Sequence, residues 1–132
     1  MTVRPEKVAL ISPLEQNKTV VAWDNKPHKR YFEQEAVRMA QSWRKHGGWL
    51  KDIDIHFYNV NNAKLAESTI KQLEELGCSI HDSNESNDQY NDIGFMTEPK
   101  CGFLAEQSLD KEIFIKTDLD MQLISPLDKS FV

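Results

Sequence analysis

The chain has 132 residues, of which 39% are hydrophobic and 28% charged. That length fits one domain, since a chain near 150 residues hides roughly 68–70% of its unfolded surface, and the composition excludes a disordered or fibrous protein. Sixteen Lys and Arg against twenty-one Asp and Glu leave a net charge of −5, which removes any general pull toward nucleic acid or an anionic membrane.

No apolar run approaches the roughly 20 residues that span a bilayer. Met1–Lys7 lacks the charged-then-apolar design of a signal peptide. The two cysteines, Cys78 and Cys101, are too few for a disulfide framework and read as reduced thiols of a cytoplasmic protein. Cys78 and His81 form a lone C-x-x-H without the second pair that zinc requires. Neither repeats nor low-complexity tracts divide the chain, so 1–132 reads as a single α/β domain.

Val8–Ile11 is a short apolar run that Pro13 is expected to stop. Lys18–Trp23 is the stronger strand, β-branched and bounded by Asp24-Asn25-Lys26-Pro27. A helix is predicted from about Lys29 to His46, with Phe32, Ala36, Met39, Ala40 and Trp43 on one face and Gly47-Gly48 as its stop. Ile53, Ile55 and Phe57 alternate with Asp54, His56 and Tyr58, which predicts a strand with one wetter face. Ala66, Ile70, Leu73 and Leu76 make the stripe of a second helix closed by Gly77. Cys78–Ile80 is a short strand. The polar run from Asp82 to Asp92 reads as a loop, and Thr97-Glu98-Pro99 opens a third helix with Cys101, Leu104 and Leu109 facing inward. Glu112–Ile115 is apolar without alternation, which predicts burial on both faces. Met121–Ile124 reads as a further extended segment and an exposed edge.

This alternation predicts a layered fold with a mainly parallel sheet flanked by helices. Ligands of such sheets sit beyond the carboxyl ends of the strands, which is where Asp118 and Asp120 lie. In extended chain, residues i and i+2 point the same way, so the two carboxylates would converge. Their repulsion is relieved by a hard divalent cation, Mn²⁺ or Mg²⁺, which keeps positions open for phosphate oxygens. The plainer reading is that the two acids only end the strand, since Asp is common at turns.

Ile113–Met121, preceded by Lys100–Ala105, resembles the D-x-D region of glycosyltransferases with the Rossmann-like GT-A fold. The resemblance is specific from about Lys100 to Pro126 and elsewhere rests on element order. It implies a nucleotide-diphosphate sugar donor, with Asp118 and Asp120 as metal ligands and Asp118 also at the donor. It further implies Trp23, Asp24 and Asn25 at the nucleobase and Lys100 near the diphosphate. Family members run about twice this length, the size of larger catalytic domains. The expectation is therefore a donor-binding half, truncated after the D-x-D strand, that binds weakly and transfers nothing unaided. Catalytic residues and acceptor are left unassigned.

Haloacid-dehalogenase-type phosphatases also place D-x-D after an apolar strand, but near the N-terminus, and Met121-Gln122 here replaces their small hydroxyl residue. The other alternative is a noncatalytic α/β binding or assembly module, in which an uncovered edge or face recruits a partner or a second copy. No histidine pair has helical metal-site spacing, and no G-x-G-x-x-G, Walker A or G-x-S-x-G sequence occurs.

Overall fold

The computed structural model describes residues 3–14, 19–21, 27–29, 32–59, 65–82, 105–106, 108–119 and 121–127. Its strands are β1 (Val8–Leu14), β2 (Thr19–Val21), β3 (Pro27–Lys29), β4 (Asp54–Asn59), β5 (Cys78–Asp82) and β6 (Ile113–Lys116). The helices are α1 (Phe32–His46) and α2 (Glu67–Glu75). A four-stranded, all-parallel sheet runs in the order β5-β4-β1-β6, and β2 and β3 form a separate antiparallel pair. The α/β fold with a parallel sheet flanked by helices matches the sequence expectation. No helix among the described residues is long and apolar enough to cross a membrane.

Alternation along the strands sends side chains to two faces. On one face Val8, Leu10 and Leu14 of β1 join Ile55 and Phe57 of β4 under Ala36, Met39, Ala40 and Trp43 of α1 and Leu73 of α2. On the other, Ile11 and Tyr58 pack with Ala105, Leu109 and Phe114. Helical residues near Ala105 therefore cover the second face, as expected of the third helix. Its start, with Cys101 and Leu104, lies outside the described residues.

The helix ends follow their sequence. Glu33 and Glu35 sit in the first turn of α1 and Arg44, Lys45 and His46 in its last, which suits the helix dipole. Gly48 (φ +62°) and Gly77 (φ +74°) take the left-handed conformation just past the helix ends, where a Cβ would be strained. Arg44 then ties the layer together. Its Nε donates to Leu76 O at 2.8 Å, and Nη1 donates to Lys51 O at 2.8 Å and to Ile53 O at 2.6 Å. One guanidinium thus holds the end of α2 and the entry to β4 against α1. At the start of α2, Ala66 N–H donates to Glu33 Oε1 at 2.7 Å.

Several expectations are corrected. The first strand of the sheet is Val8–Leu14, and it runs through Pro13. Lys7 O and Ile11 O accept from Glu112 N and Thr117 N, so odd positions of β1 face β6. The N–H that Pro13 lacks faces β6 one slot beyond the last paired residues, Ile11 and Lys116, so the proline ends that ladder rather than breaking it from within. Thr19–Val21 pairs with Pro27–Lys29 outside the sheet, which also delays the start of α1 to Phe32. The wetter face of β4 is dry beyond Asp54: Tyr58 is buried under Ala105 and its neighbours, and His56 is buried against His81. Ala66 is exposed at the N-cap of α2, and Leu65 takes its place in the core. β6 is only half-buried, since no described strand pairs with its outer edge. Cys78 is buried, and burial pushes its thiol up to about 11, so it is a packing residue rather than a reactive one.

Replacing Arg44 tests the clamp. Arg44→Ala should lower the unfolding free energy by about 2 kcal/mol in urea denaturation, since several charge-assisted bonds go at once. Arg44→Lys should recover less than half, because an ammonium cannot hold carbonyls from separate segments in one planar fork.

Candidate functional site at the β1–β6 switch point

From β1 the chain passes through α1 to β4 on one side and through α2 to β5 beyond it, and β6 then joins the opposite edge of β1. The strand order reverses at β1. In open parallel sheets the crevice outside the carboxyl ends at such a reversal is where ligands bind. Here it lies between the ends of β1 at Leu14 and β6 at Lys116, and Asp118 follows β6 by two residues.

The backbone at this point is built from an unusual donor. Ile11 pairs with Lys116, and Thr117 N–H donates to Ile11 O at 3.1 Å. The next ladder bond would run from residue 13 to Thr117 O, but residue 13 is proline and has no N–H. Ser12 supplies the hydrogen instead: its buried Oγ donates to Thr117 O at 2.7 Å. The chain then turns, with Met121 N–H donating to Asp118 O at 3.2 Å, while Leu119 is buried in the main core. Leu119 thus anchors the turn and Asp118 is exposed beside the crevice.

Asp118 opens a turn where an extended run was expected. Asp120 lies outside the described residues, as do Trp23, Asp24, Asn25 and Lys100. Trp23, Asp24 and Asn25 fall between β2 and β3, not directly after the first strand of the sheet. Among the described residues no group of three His, Cys, Asp or Glu could hold a metal ion. The exposed Asp118 carboxylate is a hard oxygen donor of the kind Mn²⁺ and Mg²⁺ take alongside water and phosphate oxygens, so its chemistry fits such an ion.

Met121–Ile124 is not a strand. Leu123 N–H donates to Ser42 Oγ at 3.1 Å, which lays the segment along α1. An open groove of about 470 Å³ lies there, lined by Arg38, Ser42 and Lys45 of α1 with Leu123 and Ile124. None of its lining residues belongs to the carboxyl ends of β1 or β6. Ile124 is 88% exposed and Met121 52%.

Sequence reasoning missed Ser12. The signal was present as a hydroxyl next to proline inside an otherwise apolar strand, where a serine needs a partner and a proline denies one. It also missed a contact between His56 and His81, which only strand register creates. No protein-family model, curated protein or solved structure matches the chain.

The Ser12 bond has a two-step test. Ser12→Ala should cost about 1–3 kcal/mol in urea unfolding, because Thr117 O loses its donor. Adding Pro13→Ala restores a backbone N–H at that slot and should recover part of the loss, where independent sites would simply add.

Proposed function

We propose that the chain binds the diphosphate of a nucleotide-diphosphate sugar through a divalent cation held by Asp118 and Asp120, as the donor-binding half of a GT-A-type glycosyltransferase. The observation that carries this reading is the place of Asp118, exposed at the carboxyl end of β6 where the strand order reverses. A carboxylate fixed there by a turn and an anchoring leucine can hold Mn²⁺ or Mg²⁺ while leaving positions for phosphate oxygens. In a transfer reaction that cation would neutralise charge gathering on the departing nucleoside diphosphate. Acceptor and catalytic base are not assigned to any residue.

A second reading, a noncatalytic module that binds a partner or assembles with itself, is favoured by one observation. Exposed Ile124 lies next to a stripe of α1 that carries Arg38 and Lys45. An apolar surface bordered by cations suits a partner with an acidic rim.

Calorimetric titration of UDP and GDP, with and without Mn²⁺, tests the first reading. Binding should require Mn²⁺ and weaken by about tenfold or more in Asp118→Asn and Asp120→Asn, as expected when a charged contact is removed. Equal binding by wild type and both variants ends it. For the second, light-scattering mass on a sizing column should show a species heavier than one chain that Ile124→Asp returns to monomer mass. A wild-type monomer speaks against self-assembly.

A further inference from the structure

Among the described residues β5 is an edge strand of the four-stranded sheet, paired with β4 alone. In their register Tyr58 faces His81 and His56 faces Ser79, so His56 and His81 are diagonal neighbours on the face away from α1 and α2. His56 Nδ1 and His81 Nε2 are 2.8 Å apart. The ring centroids are 5.0 Å apart with planes 26° from parallel, so the two nitrogens point at one another nearly in plane. Tyr58 stacks on His81, with centroids 4.7 Å apart and planes 15° from parallel. A cation bonded to both nitrogens at roughly 2.0–2.1 Å each would need them further apart along that line, whereas a single hydrogen fits between them.

Two neutral imidazoles hold this contact when one nitrogen donates and the other accepts. His56 is only 8% exposed, and its Nε2 is buried with no hydrogen-bond partner. A tautomer with hydrogen on Nε2 would bury a donor that bonds to nothing, so we assign the hydrogen to Nδ1, donating to His81 Nε2. An added proton then has two places to go within the contact. On His56 Nε2 it makes a buried cation with an unbonded donor. On His81 Nε2 it sets N–H against N–H and breaks the bond.

We propose that the His56–His81 pair is a proton-operated latch that fastens the carboxyl end of edge strand β5 to β4 when both rings are neutral and releases it on mild acidification. Among the described residues the groups facing the pair are Tyr58 and Asp54 of β4 and Lys111. Lys111 Nζ binds Asp54 Oδ2 at 2.7 Å, so its charge offsets the carboxylate. His56 titrates below its usual value through burial first and then through His81 and Lys111, against an opposing pull from Asp54. Burial lowers His81 as well. The closed latch therefore binds fewer protons than the open one. Its closing is fully favoured above the ordinary histidine pKa of about 6.5 and weakens as pH falls below that value. At the other end of β5, Cys78 sits in the core, so release is confined to the His81 end.

Hydrogen–deuterium exchange with mass spectrometry, corrected for the intrinsic pH dependence of amide exchange, reads the latch directly. Between pH 7.5 and 5.5 the peptide covering residues 76–82 should lose protection by about tenfold or more relative to β1. His81→Phe keeps a ring on Tyr58 but takes no proton, so its β5 protection should fall less across that pH range, by no more than buried His56 alone contributes. Unchanged β5 protection in wild type, or the same acid-dependent loss in His81→Phe, overturns the proposal. If His81→Phe does not fold, ring-proton NMR of the wild type decides. Both histidines should titrate below about 6.5, and ordinary titration of either one overturns the proposal.

Discussion

The structure depends on β1 being bonded along both edges. A central parallel strand must satisfy every backbone group from its two neighbours and bury both rows of its side chains, and Val8, Ala9, Leu10, Ile11 and Leu14 meet that demand. Because β4 takes one edge and β6 the other, the order of the described strands reverses once, at β1 after β5. That single reversal makes a crevice at the carboxyl ends and leaves the residues after β6 beside it. Placement of Asp118 is thus a consequence of topology before it is a matter of chemistry.

The helical layer was largely legible from the sequence because its signals are local. Ala36, Met39, Ala40 and Trp43 recur with the helix period and are buried together, and glycines mark both helix ends. Strand order was less legible. The β-branched Lys18–Trp23 looked a better strand than Val8–Ile11, yet its described part, Thr19–Val21, pairs locally with Pro27–Lys29. Strand propensity reports fit to a pleated surface, and which surface is available depends on partners far along the chain. The burial of His56 and Tyr58 was illegible for the same reason, since alternation predicts a wet face only where one face stays open.

For the site, the sequence located the acid after the last strand, because an apolar run ending in Asp is a local pattern. It misjudged the backbone there. Leu119 was a spacer between two acids in an extended reading, but it is the buried residue that fixes a turn. Ser12 and the two histidines act across separations of 105 and 25 residues. No periodicity within one element reports such contacts. Arg44 belongs to the same class: its head binds carbonyls of two other segments.

Pro13 carries a consequence for the shape of the crevice. Two parallel strands that have begun to pair tend to go on pairing while each successive residue offers a donor and an acceptor. At the first slot beyond Thr117, β1 offers a pyrrolidine ring, and the bond is made by a rotatable hydroxyl from the preceding residue. Zippering therefore stops at a chemically fixed point, and the two chains must fork. The gap at the sheet's rim is enforced by an imino acid, and whatever side chain comes next on the β6 branch is kept in contact with water.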